Sequence, residues 1–261
     1  MAADFFLIGG DARQTHLAAL LSANFSVQTL TVPNREDTPA PDAPRIVLPI
    51  PTLGPNGKLR PPADEALDKL LRPGSILYGG ALGDYPSRCK PEGVQWIDLL
   101  ADEAAVVENA QLTADAALLL TMQQTQRSLH GLRCCVIGWG RIGRLLCPRL
   151  AACGAEVCVL SRQTEHRALA RAFGYSSDLP SQVCNHAPDL IFNTAPAQTV
   201  PTEALLSLPT QTLWIELASA PGGLPKRPAF SFAQLPAGGL PGKLLPVSAA
   251  AVLYRAILRT M

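Results

Sequence analysis

What this chain of 261 residues has little of sets the first limits on its function. Neither sign of charge dominates: 22 Lys and Arg face 21 Asp and Glu, the formal net charge is +1, and no basic block occurs. Nucleic acid and a charged membrane surface are therefore not the expected partners. No apolar run approaches the roughly 20 residues that span a bilayer. Met1-Ala-Ala-Asp4 has neither a positive stretch nor a cleavage site and leads straight into Phe5-Phe-Leu-Ile8. No signal peptide is expected, and the cytoplasm is the expected compartment. Cysteine is plentiful, seven in all, but no Cys-x-x-Cys pair and no Cys/His cluster with zinc spacing exists, so no metal is expected. The cysteines read as small buried apolar side chains, with neighbours Cys134 and Cys135 facing opposite ways on a strand. A catalytic thiol is the minor reading. Histidine is scarce, with four in the chain and none after His186. Aromatics make up only 5%, whereas 24 prolines point to many rigid turns.

What is present is a glycine motif. Arg133-Cys-Cys-Val-Ile-Gly138-Trp-Gly140-Arg-Ile-Gly143 reads as a buried strand that breaks at glycine and restarts as a helix, Arg141 to Ala152. In a G-x-G-x-x-G turn the first glycine makes the tight turn. The second lets a pyrophosphate reach the backbone, and the third lets helix and strand pack closely. The helix N-terminus then offers free N–H groups to the phosphates. Gly138, Trp139, Gly140, Arg141, Ile142 and Gly143 are thus candidate dinucleotide-binding residues.

The end of the next strand, Ala155 to Leu160, should meet the adenosine ribose. An NAD site places Asp or Glu there. This chain has Ser161-Arg162. No carboxylate repels a 2′-phosphate, and the fork of Arg162 suits one, so NADP(H) is the expected cofactor. The alternative is that Arg162 is a solvated loop residue. A further strand, Asp189 to Asn193, ends in Asn193-Thr194-Ala195-Pro196, which should lie on the cofactor side near the nicotinamide half.

Strand–helix alternation runs the length of the chain. Strands are expected at 5–8, 27–32, 45–48, 75–78 and 94–99, with helices at 14–23 and 64–71. Beyond the glycine motif, strands follow at 212–217 and 230–233. The expected class is α/β, two Rossmann-like domains with parallel sheets flanking an interdomain cleft. Residues 1–112 form the N-terminal, substrate-side domain. Residues 113–246 form the NADP-binding Rossmann domain, in which Thr113 caps a long interdomain helix over 113–130. Residues 247–261 form a C-terminal helix that packs back on the first domain.

Four segments carry a more particular resemblance. Ile8-Gly-Gly-Asp-Ala-Arg-Gln14, the glycine motif with Ser161-Arg162, Leu217-Ala-Ser-x-Pro-Gly-Gly223 and Gly239-Leu-Pro-Gly-Lys-x-x-Pro246 resemble the family of the dipicolinate synthase A subunit, in the same order and at similar spacing. The resemblance implies an NADP-dependent oxidoreductase of spore-forming bacteria. It would oxidise and aromatise 4-hydroxy-tetrahydrodipicolinate, a small cyclic dicarboxylate from the lysine pathway, to dipicolinate during sporulation. It also implies a partner, a flavoprotein-like B subunit. The chain departs from the family pattern at Leu112, Asp115, Ala220 and Val247, so its cofactor half keeps the pattern better than its substrate half.

A dicarboxylate needs cationic or N–H-rich patches. Arg13, at a strand–helix junction, and Lys243, in a glycine-rich loop, are the candidate cations; Arg13 could equally form a surface ion pair. Asn109, Thr113 and Ser219 complete the candidate substrate set, and Ser219, Asn193 and Thr113 could equally be turn or cap residues. No base stands out among His16, His130, His166 and His186. Aromatisation supplies driving force, so positioning for hydride transfer can suffice. Two other readings stay open. One is another two-domain hydroxyacid-type dehydrogenase, which usually carries a catalytic histidine late in its Rossmann domain. The other is a non-catalytic NADPH-binding module. Oligomeric state is open, a homo-oligomer included.

Overall fold

Paired strands run parallel throughout, in two separate sheets. The structure is a computed structural model that describes residues 3–30, 44–54, 56–60, 63, 71–88 and 93–261. The expected helix at 64–71, the end of the strand at 27–32 and Cys89 fall wholly or largely outside the described residues. Two compact units result: residues 1–109 with 241–261, and residues 110–240.

The first unit holds β1 (Phe5–Ile8), α1 (Ala12–Ser22), β2 (Val27–Leu30), β3 (Arg45–Val47), β4 (Ile76–Gly79), the short α2 (Tyr85–Arg88) and β5 (Gln95–Asp98). Their order is β2-β1-β3-β4-β5. The connection reverses direction between β1 and β3, which is where open α/β sheets bind ligands. β1 is buried along its whole length, as expected of a central parallel strand of continuous apolar residues. Asp11 caps α1, accepting from Arg13 N at 3.0 Å. The last helix of the chain belongs to this unit and packs on α1. It starts at Pro246, where a missing N–H costs nothing. Arg259 Nε donates to Asp102 at 2.7 Å, and Arg255 pairs with Glu108. Such exposed pairs contribute little, so the helix is held mainly by its buried face, Ala249, Val252, Leu253, Ala256 and Ile257.

The second unit follows the Rossmann order. Its strands are β6 (Arg133–Ile137), β7 (Glu156–Leu160), β8 (Ser176–Asp178), β9 (Leu190–Asn193), β10 (Leu213–Glu216) and β11 (Ala233–Pro236), arranged β11-β10-β9-β6-β7-β8. Helix α3 (Glu103–Thr125) leads in; α4 (Arg141–Ala152), α5 (Thr164–Ala172), a 3₁₀ turn (Pro180–His186) and α6 (Thr202–Leu206) connect the strands. The chain then returns to the first unit through α7 (Leu240–Leu244) and α8 (Pro246–Leu258).

Several expectations need correction. Thr113 caps nothing: residues 103–125 form one helix, and Thr113 lies inside it, 6% exposed. Asp102 does the capping, accepting from Ala104 N at 2.9 Å, and no Gly or Pro interrupts the run that follows. The last strand starts at Ala233 rather than Phe230. Phe230 and Phe232 instead stack on each other at 5.2 Å, and Phe232 stacks on Trp214 at 6.1 Å. Lys243 sits in α7, not in a loop. Strand β8 was not expected, since Ser176-Ser-Asp178 has no apolar alternation; it is a short edge strand.

Because the buried face of α8 covers α1, Ile257→Ala should destabilise the first unit by about 2–4 kcal/mol. Urea unfolding followed by circular dichroism measures it, and a loss under about 1 kcal/mol would show that the helix contributes little.

Candidate functional site

The connection of the second sheet reverses between β6 and β9, and the glycine turn sits at that point. Gly138 N donates to Leu160 O at 2.9 Å, and Thr194 N donates to Ile137 O at 2.9 Å. Gly138 adopts φ +99°, which other residues avoid. A Cβ there would also stand 2.6 Å from Thr194 Oγ1, and that hydroxyl donates to Ile137 O at 2.7 Å. Gly143 lies in the first turn of α4, where a Cβ would come within 2.3 Å of Gly138 O. At Gly140 the reverse holds: a Cβ would meet no protein atom within 4 Å. The three glycines therefore divide into a turn, an open approach and a close packing contact.

Helix α4 begins at Gly140 with no side-chain cap and no acidic residue in its first turn. Such an end attracts an anion through its N–H groups and dipole. In front of it is a groove of about 280 Å³ lined by Gly138, Trp139, Gly140, Ser161, Arg162, Thr194, Ala195 and Pro196. It also takes in Gln163 and His166, beside the end of β7, and Pro180 and Thr199, which sequence reasoning passed over. The latter two come from separate connections, and nothing local marks them.

The individual side chains sort themselves. Trp139 lines the groove with its ring buried against Phe173 and Tyr175, 6.1 and 6.0 Å away. Arg141 is exposed and Ile142 half-buried on α4. Ser161 is buried at the end of β7, its hydroxyl 3.3 Å from His166 Nδ1. Arg167 Nη1 donates to Ser161 O at 2.7 Å and Arg162 O at 2.9 Å, which holds the loop. Arg162 itself is exposed and forms no ion pair among the described residues. Asn193 is fully buried. Its Nδ2 donates to Ala195 O at 2.9 Å and to Glu216 Oε1 at 2.6 Å, so its amide shapes the strand end beside the groove.

Glu216 is the residue that sequence reasoning missed. Its carboxylate accepts from Asn193 Nδ2, Ala218 N at 3.2 Å, Trp214 Nε1 at 3.1 Å and Gly223 N at 2.9 Å. The Pro221-Gly-Gly223 bend is folded over it. A Cβ on Gly223 would stand 2.5 Å from Asn193 Nδ2, which explains the Gly-Gly of that motif. The only signal was an acid closing the apolar strand Leu213-Trp-Ile-Glu216.

The expected substrate residues fall in both units. In the first, Arg13 Nε donates to Asp11 at 2.8 Å, and Arg13 also donates to Ile50 O, tying the ends of β1 and β3. Gly242 packs on this guanidinium, where a Cβ would be 2.5 Å from Nε. Arg13 and the adjacent, exposed Lys243 are thereby brought to one corner. Gln14 packs on Gly10 and donates to Leu48 O at 2.8 Å. Asn109 is half-buried on α3, with Thr113 one turn later. In the second unit, Ser219 is exposed and its carbonyl accepts from Gly222 N at 3.1 Å. No helix among the described residues is long and apolar enough to cross a membrane.

Residues 105–208 match the D-isomer specific 2-hydroxyacid dehydrogenase NAD-binding domain. The fold and groove are thus similar to the NAD-binding domain of the dehydrogenases. More particularly, the chain is similar to the A subunit of dipicolinate synthase. It is 30% identical over 165 residues to the protein of that name from Bacillus subtilis (strain 168), covering 60% of this chain and 54% of the relative. The aligned part therefore spans about half of that relative's length. The crystal structure of the dipicolinate synthase A subunit from Bacillus halodurans matches with a TM-score of 0.81 and 25% identity over 98% of this chain and 96% of that one. That of its Bacillus subtilis counterpart matches with a TM-score of 0.79 and 23% identity over 100% and 96%, a likeness of fold. The resemblance read from the four sequence segments is borne out.

The glycine geometry separates two substitutions. Gly143→Ala should destabilise the protein by about 1–3 kcal/mol, because its methyl meets a backbone carbonyl. Gly140→Ala should leave the melting temperature unchanged and weaken NADPH binding, because its methyl fills the open approach. Thermal melts and fluorescence titrations distinguish them, and wild-type binding by Gly140→Ala would remove the groove as the cofactor site.

Proposed function

We propose that this chain is an NADP-dependent oxidoreductase that converts 4-hydroxy-tetrahydrodipicolinate, or its dehydrated form, to dipicolinate during sporulation. The likeness to the dipicolinate synthase A subunit over nearly the whole chain, at a TM-score of 0.81, carries this reading. The motifs behind the resemblance support it, because each has structural work here: Gly10 receives Gln14, and Gly223 closes on Glu216.

The groove fits a dinucleotide. Gly138, Gly140 and the first turn of α4 take the pyrophosphate, and Thr194, Ala195 and Pro196 flank the nicotinamide half. Arg162, exposed and without an ion-pair partner among the described residues, takes the 2′-phosphate beside Ser161. A bound nicotinamide would accept the hydride leaving the substrate ring. For the dicarboxylate, exposed Lys243 supplies one cation, and Arg13, fixed by Asp11 and Ile50 O and packed on Gly242, supplies a second. Asn109, Thr113 and Ser219 remain the further candidates for substrate contact. A B subunit of the flavoprotein-like kind named by the resemblance is the proposed partner, in the cytoplasm.

The match to the 2-hydroxyacid dehydrogenase domain favours a second reading, a hydroxyacid-type dehydrogenase. The absence of any histidine after His186 weighs against it, since that chemistry needs a base late in the domain.

Replacing Arg162 with Gln should weaken NADPH binding about tenfold and leave NADH binding unchanged, because only a 2′-phosphate uses its charge. An equal effect on both cofactors would argue for NAD. Fresh substrate with NADP⁺ should yield the ultraviolet absorbance of dipicolinate, with or without the B subunit. Arg13→Gln should abolish it while NADPH binding persists. No dipicolinate under either condition, with a 2-hydroxyacid oxidised instead, would establish the second reading.

A further inference from the structure

On the sheet, below the cofactor groove, lies a cluster that the proposed reaction does not use. Cys135 of β6 and Cys158 of β7 are direct register partners on adjacent parallel strands, so both side chains stand on the same face of the sheet. Cys158 Sγ is 3.6 Å from His186 Nε2, and the same nitrogen is 3.3 Å from Asp178 Oδ2. A single imidazole nitrogen thus lies between a sulfur and a carboxylate. The two cysteines, His186, Ser176, Arg133 and Glu156 line an open pocket of about 120 Å³. Among the described residues no group of three or more His, Cys, Asp and Glu side chains is placed to hold a metal ion. We propose that Cys158 is an activated thiol, a modification site for small peroxides and soft electrophiles, with Cys135 as its disulfide partner.

The neighbouring groups act on this thiol in both directions, with the lowering influences ahead. The Cys135 hydrogen bond, opposed by burial, is the main influence that holds the Cys158 thiol below its ordinary range; the Ser176 hydroxyl and a charged His186 add to it, and Asp178 opposes it. Cys135 is pushed up by the same bond and by burial, as suits the attacked partner's reserve thiol. Cys147 on α4 is pushed up by burial, as is Cys134 beside Arg133. Of the cysteines on these two strands, only Cys158 has an imidazole against its sulfur. Cys158 is 5% exposed and Cys135 1%, so a reagent small enough to enter the pocket is what reaches this sulfur.

With a peroxide the steps balance. The Cys158 thiolate attacks one peroxide oxygen, the O–O bond breaks, and the sulfur is oxidised to a sulfenic acid as hydroxide leaves. The Cys135 thiol then attacks that sulfur, an S–S bond forms, and its proton departs with the sulfenic hydroxyl as water.

The test uses the full chain with exposed Cys153 changed to Ser. Brief iodoacetamide labelling from about pH 6 to about pH 9, followed by peptide mapping, should alkylate Cys158 at least about tenfold faster than Cys134 or Cys135. The rate should rise with a midpoint below the roughly 8.5 of a free thiol, and His186→Gln should raise that midpoint. Limiting hydrogen peroxide should cross-link Cys135 to Cys158. In Cys135→Ser a dione should trap the Cys158 sulfenic acid instead. Labelling of Cys158 only after denaturation, or an unchanged pH profile in folded His186→Gln, would overturn the activated thiol. The wild-type profile and the peroxide cross-link need no His186 variant. Peroxide products at Cys158 without the cross-link would overturn the disulfide partner.

Discussion

Helix α4 rests on the turn at Gly138 with no space for one added carbon between them. That contact fixes where the helix begins, and so where its uncapped N-terminus points. The rest of the cofactor half is arranged around this fixed point. β9 delivers Thr194 onto the turn from one side, and β7 delivers Ser161 and Arg162 from the other. The site is made by the strand order, because only a crossover between β6 and β9 opens a crevice at that end of the sheet.

A second constraint acts one strand further out. Glu216 gathers donors from β9, β10 and the bend that ends at Gly223. A carboxylate satisfied by several hydrogen bonds holds irregular backbone in place where no ladder can. This lets a loop rich in Pro and Gly keep one shape beside the groove. In the first unit, Asp11, Arg13 and the carbonyl of Ile50 do the same for the ends of β1 and β3.

What could be read from the sequence was what depends on near neighbours. The glycine motif is a strand, a turn and a helix within a dozen residues. Parallel sheets followed from alternation of strand and helix. What escaped depends on distant partners. Glu216 matters because Asn193 faces it, and His186 matters because Cys158 does, 28 positions earlier. Thr113 misled for the opposite reason. It has the chemistry of a cap, yet Asp102 had already started the helix, and nothing between them ends it. Phe230 and Phe232 misled because apolar alternation serves ring stacking as well as strand pairing.

The first unit is written in two parts of the chain, with the whole of residues 110–240 between them. A ribosome therefore completes the second unit while the first still lacks α8. Through that interval the face of α1 that α8 covers stays bare. Domains tend to fold as they emerge, and exposed apolar faces at that stage invite aggregation. The cofactor half, continuous in sequence, can form its dinucleotide groove before the chain is finished. The opposite half becomes whole only when the final helix arrives.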